Sequence, residues 1–168
     1  MYKIIDNAIS KKDQKFLVDT IVDNKYFSWF FGKDVTRENG KQKRHCFTHN
    51  FVVNGNKNSE ALDVVQPLFN KYIKNKIINF KTILQLPLNI STKTYDTPHK
   101  DIKTPHTVYL YYVLDSDGET VLFKNKKIFK KIKPKKGRLV IFEGEVLHTA
   151  YQPKKNIRCI LNINEEKI

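Results

Sequence analysis

Apolar and polar residues alternate along the middle of the chain, over residues 78–90. Because successive side chains of a β-strand leave opposite faces, this period of two predicts a long strand with one buried face. Shorter apolar runs follow, separated by turn-forming segments at 115–118, 134–137 and 152–156. Many short strands with turn signals are typical of a β-sandwich or barrel. The predicted later strands are 107–114, 119–123, 128–132, 138–142, 146–151 and 157–163.

Apolar residues at helical spacing occur before this region. Ser10 is a suitable N-cap, and the pattern after it predicts a helix over about 11–23. Ser59 is predicted to begin a second helix that runs to about residue 75, with a kink or interruption at Pro67. A strand is predicted between the two helices, over 44–53.

Length and composition fit one folded domain. The chain has 168 residues, of which 40% are hydrophobic and 12% aromatic. This is enough apolar material for a sizeable core, which excludes a disordered chain. We expect one domain over 1–168, with helices and supporting strands in 1–77 and the β-rich core in 78–165.

Basic residues outnumber acidic ones. The chain has 31 lysine and arginine residues against 17 aspartate and glutamate residues, a formal net charge of +14. Such a balance favours anionic partners through long-range attraction. The same lysines can also serve only to keep the surface hydrated, so the charge does not by itself identify a partner.

The cellular setting is suggested by what the sequence does not contain. No stretch approaches the roughly 18 to 20 apolar residues of a membrane-spanning helix. The first residues lack the apolar core of a signal peptide. Cys46 and Cys159 do not make a disulfide framework, and we expect both to be small buried side chains. These patterns predict a cytoplasmic protein with reduced thiols and no membrane partner.

The candidate chemistry begins with the segment Thr97–Asp101. His99 and Asp101 are two residues apart, so both side chains leave the same face of an extended backbone. A second histidine, His148, follows the predicted strand at 138–142. Two imidazoles and one carboxylate can occupy one face of an octahedral ferrous ion and leave three positions open. Those positions suit dioxygen and a chelating co-substrate.

Arg158 adds a second element to this chemistry. It alternates with Ile157 and Cys159 on a predicted strand, so its side chain can face a pocket while theirs face away. A 2-oxo acid that chelates a metal leaves its far carboxylate to be anchored. A guanidinium anchors a carboxylate with a planar, two-pronged hydrogen bond. The plainer role for this arginine is a surface salt bridge.

Other interpretations of these residues stay open at this point. The two histidines and the aspartate can be unrelated polar residues near loops, because His-x-Asp triplets are common. His106 competes as a ligand near the start of a strand. A pair formed by His99 and His106 would, however, leave Asp101 and His148 without a role.

Taken together, these motifs resemble the iron(II)- and 2-oxoglutarate-dependent dioxygenases, in particular the prolyl 4-hydroxylase-like branch. The resemblance covers about residues 78–165. The Asp-Gly-Glu-Thr turn at 117–120 is similar to the Gly-Gly-Glu-Thr turn of that branch. The motifs that carry the likeness are His99–Asp101, Tyr109–Leu114, Asp117–Thr120, Gly137–Phe142, His148 and Arg158.

The resemblance implies a mainly β fold, in which a double-stranded β-helix or jelly-roll core is flanked by helices. It implies His99, Asp101 and His148 as iron ligands and catalytic centre, and Arg158 as the anchor of 2-oxoglutarate. The implied cofactors are Fe(II), 2-oxoglutarate as co-substrate and dioxygen, with ascorbate as a reductant. The implied reaction couples decarboxylation of the oxo acid to hydroxylation of an unactivated C–H bond.

Three tyrosines enter through the same resemblance. A tyrosine on the strand after His-x-Asp often hydrogen-bonds the co-substrate in this family. Tyr112 matches that position best and Tyr109 second, although either can equally belong to the core. Tyr95 resembles an aromatic residue that often precedes the metal motif and is expected at the mouth of the substrate site.

The substrate is the least constrained part of the interpretation. The resemblance favours a prolyl residue in a peptide or protein. A nucleic-acid substrate is the alternative suggested by the net charge and by the lysine-rich segment 124–136, which can also be a hydrated edge hairpin. A free amino acid as substrate and a non-catalytic, basic jelly-roll binding module are the remaining possibilities.

Overall fold

A computed structural model describes residues 1–33, 35, 44–88 and 95–167. Strands dominate it, and nearly all of the predicted strands are present. In chain order the strands are β1 Tyr2–Ile5, β2 Phe30–Gly32, β3 Cys46–Val53, β4 Asn56–Lys57, β5 Ile77–Gln85, β6 His106–Tyr112, β7 Thr120–Lys124, β8 Lys127–Ile132, β9 Leu139–Glu143, β10 His148–Ala150 and β11 Arg158–Glu166.

Two antiparallel sheets contain all of these strands. The larger sheet has the order β1-β9-β6-β11-β5-β3-β2, with β4 paired to β3. The smaller sheet has the order β10-β7-β8. β11 occupies the middle of the larger sheet, where it pairs with β5 on one side and β6 on the other. The prediction of a mainly β jelly-roll architecture with flanking helices is confirmed.

The first predicted helix is present where it was expected. Helix α1 covers Lys11–Leu17 and continues as a π-helical turn over Val18–Val22. The side chain of Ser10 caps it by accepting a hydrogen bond from the backbone N–H of Asp13 at 3.1 Å. This cap satisfies one of the N–H groups that a helix leaves unpaired at its start.

The second predicted helix is much shorter than expected. Helix α2 covers Leu62–Val65, and a 3₁₀ turn over Gln66–Phe69 follows it. Pro67 lies at the start of that turn. Because proline has no backbone N–H and its ring clashes with the preceding turn, an α-helix cannot continue through it without a break. The prediction of a helix to about residue 75 was therefore wrong.

The long predicted strand at 78–90 also ends early. Strand β5 stops at Gln85, two residues before Pro87. Proline cannot donate to a β-ladder, and it restricts the residue before it. Positions 89 and 90 of the predicted strand lie outside the described residues.

The larger sheet separates two apolar clusters. One lies between this sheet and the N-terminal helices and includes Leu17, Phe69 and Tyr111. The other lies between the two sheets and includes Tyr112 and Leu122. Since neighbouring residues of a strand point to opposite faces, each central strand contributes to both clusters.

Both cysteines are free and buried, as the sequence predicts. Burial raises the pKa of the Cys159 thiol to about 12. Such a thiol stays protonated at neutral pH, so it packs as a small apolar group. Across the described ranges, no helix is both long enough and apolar enough to span a bilayer.

A buried carboxylate ties β11 to the segment before β5. Glu165 accepts a hydrogen bond from the hydroxyl of Tyr109 at 2.5 Å and from the backbone N–H of Asn75 at 2.5 Å, and a further one from the N–H of Lys74. Burial and the neighbouring carboxylate both raise the pKa of Tyr109, so its hydroxyl remains a donor.

We expect Tyr109→Phe to lower the free energy of unfolding by about 1–2 kcal/mol, because it removes one donor from a buried carboxylate. Urea denaturation followed by circular dichroism measures this change. Tyr26→Phe is the matched control, because Tyr26 is 81% exposed. Equal stability of the Tyr109→Phe variant and the wild type would contradict the structural role of this contact.

Candidate metal centre

The two predicted metal-binding histidines lie directly opposite each other. The segment that carries His99 forms an antiparallel bridge with the start of β10, at His148. The backbone N–H of each histidine donates to the carbonyl oxygen of the other, both at 3.0 Å. The two imidazole centroids are 4.8 Å apart. A backbone pair thus fixes the separation of two side chains that are far apart in sequence.

Each imidazole has one nitrogen committed to the backbone. Nδ1 of His99 lies 3.0 Å from the carbonyl oxygen of Thr97, and Nδ1 of His148 lies 3.1 Å from that of Val146. A carbonyl oxygen only accepts, so Nδ1 carries the proton in both neutral rings. The lone pair is then on Nε2, which is the atom available to a metal.

Both Nε2 atoms face the carboxylate of Asp101. Nε2 of His148 lies 3.6 Å from Oδ2 of Asp101, and Nε2 of His99 lies 4.0 Å from Oδ1. The potential ligand atoms of the three residues all lie within 4.8 Å of one another. Because metal bonds to nitrogen and oxygen are about 2.1 Å long, one divalent cation can reach all three after small side-chain shifts.

Two asparagines of β11 hold the carboxylate of Asp101. The amide of Asn162 donates to both carboxylate oxygens at 3.3 and 3.1 Å, and that of Asn164 donates to Oδ2 at 3.0 Å. We did not single out either asparagine from the sequence. Their signal was present as two polar residues at alternate positions, 162 and 164, separated by an isoleucine.

The electrostatics of the centre favour a charged Asp101 carboxylate and a neutral His99 imidazole. Burial alone would raise the pKa of Asp101, but the nearby His148, Lys81 and Asn164 outweigh it and hold that pKa well below its usual range. Burial and the neighbouring His148 lower the pKa of His99. Deprotonated groups of both kinds are the forms that bind a metal.

Arg158 is buried and held by hydrogen bonds in the space between the two sheets. Its Nε donates to the carbonyl oxygen of Gly118, its Nη1 to Oε1 of Gln85 and its Nη2 to Oγ1 of Thr120, each at 3.0 Å. The alternative role for Arg158, a surface salt bridge, is therefore not what the structure shows. A Cβ atom at Gly118 would lie 2.9 Å from the backbone carbonyl oxygen of Tyr151 and 3.0 Å from Cδ of Arg158, so the turn at this point needs glycine.

Tyr112 belongs to the same arrangement. It is fully buried, and its hydroxyl donates to Oγ1 of Thr120 at 2.7 Å. Burial raises the pKa of Tyr112, so its phenol stays protonated. In the sequence analysis we singled out neither Thr120 as an individual side chain nor Gln85. The sheet register that brings Gln85 opposite Arg158 cannot be read from the sequence alone.

One pocket connects these two groups of residues. His99, Asp101, His148 and Arg158 all line it, together with Thr120 and Gln85. Ile83 and Ile160 form an apolar wall between the arginine and the histidines. The four residues that the sequence singled out for metal and co-substrate binding therefore meet in one cavity.

Three other predicted residues are placed differently. Tyr109 lies on the opposite face of β6, in the helix-side cluster, and the structure does not bring it to the pocket. His106 is buried on β6, where its ring lies against Gly144, and it does not join the histidines. Tyr95 is 36% exposed and packs on Phe123 and Tyr151, so its contact with a substrate stays a prediction.

Comparisons of the whole structure identify the fold. A 2OG-Fe(II) oxygenase family oxidoreductase from Burkholderia pseudomallei superposes with a TM-score of 0.76 at 10% identity, over 97% of this chain and 84% of that one. The collagen prolyl hydroxylase of Paramecium bursaria Chlorella virus-1 gives a TM-score of 0.64 at 18% identity, over 98% and 96%.

A third solved structure is the Trichoplax adhaerens prolyl hydroxylase in complex with a hypoxia-inducible-factor peptide. It gives a TM-score of 0.66 at 15% identity, over 98% of this chain and 83% of that one. This chain has the fold of the 2OG-Fe(II) oxygenases. No protein-family model and no curated protein matches its sequence.

The lowered pKa of His99 predicts a pH dependence of stability in the metal-free protein. The unfolded chain binds the proton more tightly than the folded one, so stability should fall as the pH drops through and below 6.5. Urea denaturation of wild type and His99→Gln at several pH values between 7.5 and 5.5 measures this. We expect a shallower decline in His99→Gln, with His45→Gln as the exposed control. Identical slopes in all three proteins would contradict the burial of the His99 imidazole.

Proposed function

We propose that this protein is an iron(II)- and 2-oxoglutarate-dependent dioxygenase that hydroxylates an unactivated C–H bond, with a prolyl residue of a peptide or protein as the preferred target. The observation that carries this proposal is the convergence of His99, Asp101, His148 and Arg158 on one pocket. Three metal-binding side chains and a buried guanidinium in one cavity match the needs of a chelating dicarboxylate co-substrate.

The donor set fits ferrous iron. His99, Asp101 and His148 would hold the ion through two imidazole nitrogens and one carboxylate, on a single face, with three positions left open. Each of the three residues has its own supporting hydrogen bond, which is typical of metal ligands. When bound, iron supplies the activation of dioxygen that C–H hydroxylation needs.

The surroundings of Arg158 are prepared for a carboxylate. A guanidinium has five N–H donors, and three of them are used by Gly118, Gln85 and Thr120. The two that remain are one on each terminal nitrogen. Two N–H groups on adjacent terminal nitrogens can together bind both oxygens of a carboxylate. Arg158 would in this way orient the far carboxylate of 2-oxoglutarate.

Two further donors surround this guanidinium. The hydroxyl oxygen of Thr120 accepts from both Arg158 and Tyr112, so its own proton is directed elsewhere, and Thr120 lines the pocket. The Nε2 amide of Gln85 is buried without a partner among the described residues and belongs to the same wall. A carboxylate bound at Arg158 would satisfy both donors. Tyr112 then acts through Thr120 and orients its hydroxyl.

The apolar residues between Arg158 and the candidate metal ligands have a separate role. Ile83 and Ile160 are a cross-strand pair of β5 and β11, and they lie between Arg158 and the asparagines that hold Asp101. They would enclose the aliphatic carbons of the co-substrate and exclude water from the hydrogen bonds at its far end. Hydrogen bonds to a charge are stronger in such a dry environment.

The peptide substrate is supported by fold similarity. Among the similar structures, one is a collagen prolyl hydroxylase and another is a prolyl hydroxylase bound to a peptide. We infer by analogy that this chain also acts on a peptide or protein, with ascorbate as an external reductant. Since both cysteines are free and buried, we infer a reducing, cytoplasmic setting.

The nucleic-acid alternative gains no support from the lysine-rich segment. Its strand β8 is the edge of the smaller sheet, and most of its residues are exposed. Lysines on an exposed edge strand prevent pairing with another chain, which explains them without a partner. The metal-binding residues and the arginine are all in place, so a non-catalytic binding module is also disfavoured.

An anaerobic titration with ferrous iron and 2-oxoglutarate tests the cofactor chemistry. We expect a weak visible charge-transfer band that appears only when both ferrous iron and 2-oxoglutarate are added, and that is absent in His148→Ala. In Arg158→Ala the affinity for 2-oxoglutarate, measured from this band, should fall at least about tenfold. Arg138→Ala is the control, because that guanidinium pairs with Asp6 outside the pocket. A folded wild type without the band would refute the proposal.

Peptide hydroxylation is tested separately. Decarboxylation of 2-oxoglutarate to succinate should be stimulated by proline-containing peptides, and the peptide should gain one oxygen atom by mass spectrometry. If the charge-transfer band forms but no peptide of a broad panel stimulates decarboxylation, the proposed cofactors are supported and the peptide substrate is excluded.

The supporting asparagines predict a further effect. Asn164→Leu removes one donor from the Asp101 carboxylate, so we expect Mn(II) affinity to fall by about 10- to 100-fold. Isothermal titration calorimetry with Mn(II) measures the change without turnover. Asn70→Leu, at an exposed position, is the matched control. Unchanged affinity in Asn164→Leu would show that the amide does not support the ligand.

A further inference from the structure

The inner face of the β5–β11 pair changes character in steps along its length. Each cross-strand pair of residues forms one row. The first row contains a cation, the second is apolar and the last two are polar. In order, the paired residues are Gln85 and Arg158, Ile83 and Ile160, Lys81 and Asn162, and Asn79 and Asn164. The proposed function uses the arginine and the asparagines of β11. Beyond helping to lower the pKa of Asp101, Lys81 is a cation to which it gives no role.

Lys81 lies at the junction of two cavities. It lines the pocket that contains the metal-binding residues, and it also lines a second groove that begins at His99 and Asp101. Within the described ranges, no carboxylate forms an ion pair with its ammonium group. By contrast, Lys100 at the same groove pairs with Glu145. The half-buried ammonium helps to lower the pKa of Asp101 but forms no ion pair with it, so it can pair with an anionic ligand.

The second groove is polar and large enough for a ligand. Its volume of about 360 Å³ is within the range of small-molecule and peptide sites. Asparagines make up half of its polar lining residues, and three valines and an isoleucine complete the walls. The asparagines of the lining are Asn50, Asn54, Asn79 and Asn164.

Asparagine side chains suit a polypeptide backbone. Each amide both donates and accepts hydrogen bonds, as does each peptide unit. Asn50 pairs across the sheet with Lys81 on one side and Asn162 does so on the other, so asparagines neighbour the lysine on both adjacent strands. The groove therefore combines a surface for a peptide backbone with one ammonium, that of Lys81, that forms no ion pair within the described part of the chain.

The co-substrate does not account for Lys81. Asn162, the cross-strand partner of Lys81, is four positions from Arg158 on β11, which is about 13 Å along the strand. A five-carbon oxo acid anchored at Arg158 spans roughly half of that distance, which brings its other end to the metal ligands. Arg158 does not border the second groove, whereas Lys81 does. The ammonium is therefore available to a different anion.

We propose that the substrate is an acidic peptide, in which a glutamate or aspartate close to the hydroxylated residue pairs with Lys81 while the backbone lies along the asparagine-lined groove. This proposal rests on the oxygenase function proposed above. The net charge of +14 would favour the encounter with such a peptide. The pairing with Lys81 would then set the register of the peptide relative to the metal.

Matched peptides test the pairing. We would use labelled eleven-residue peptides with capped termini and a central proline. The peptides come in pairs that differ at one position, which is glutamate in one member and glutamine in the other. This position is varied from three residues before the proline to three residues after it. Fluorescence anisotropy with the Mn(II)- and 2-oxoglutarate-loaded protein measures their affinity. We expect at least one glutamate peptide to bind about fivefold or more tightly than its glutamine partner, and the ratio to shrink at high salt.

Variants assign this preference to Lys81. Lys81→Met should bring the ratio of affinities close to one, and Lys81→Arg should retain it. Lys12→Met removes the same charge from an exposed helix position and should leave the ratio unchanged. Circular dichroism establishes that each variant is folded.

Three outcomes would overturn the proposal. The first is that a wild type that binds Mn(II) and 2-oxoglutarate binds the glutamate and glutamine peptides equally, or binds neither. The second is a preference that survives in Lys81→Met. The third is a loss of 2-oxoglutarate affinity in Lys81→Met, which would assign the lysine to the co-substrate. A wild type that binds neither Mn(II) nor 2-oxoglutarate instead refutes the oxygenase function, and this proposal falls with it.

Discussion

The site depends on one pair of backbone hydrogen bonds. His99 and His148 exchange N–H···O contacts across the bridge between the segment before β6 and the start of β10. This pairing sets the distance between the imidazoles, and carbonyl contacts to each Nδ1 set the direction of the lone pairs. The metal-binding geometry is thus a property of the sheet framework. The side chains need little freedom of their own to reach it.

Strand β11 joins stability and chemistry in one element. Its inward side chains are Arg158, Ile160, Asn162 and Asn164, which line the pocket or hold Asp101. Its outward side chains include Leu161 and Ile163, which pack in the helix-side cluster. Because this strand lies between β5 and β6, its position is fixed by ladders on both sides. The proposed co-substrate anchor and the support for the proposed metal ligand therefore share one rigid element.

Much of the fold and the centre of the site could be predicted from the sequence. The strands followed from alternation, and His99, Asp101, His148 and Arg158 converge in the pocket where a shared role requires them. Tyr109 and Tyr112 could not both reach that pocket, because residues three apart on a strand face opposite ways. Gln85, Lys81 and the two asparagines were missed because their roles depend on which strands are neighbours. The sequence alone carries no direct statement of that pairing.

The same rows of polar residues constrain how the sheet can assemble. Shifting β11 by one residue against β5 would turn Arg158, Asn162 and Asn164 into the helix-side cluster and bring leucine and isoleucine to face the histidines. A buried arginine among apolar side chains would lose all three of its present acceptors. Misaligned pairings of the central strands are therefore strongly disfavoured, and residues that serve a ligand in the finished protein also select the correct alignment while the chain folds.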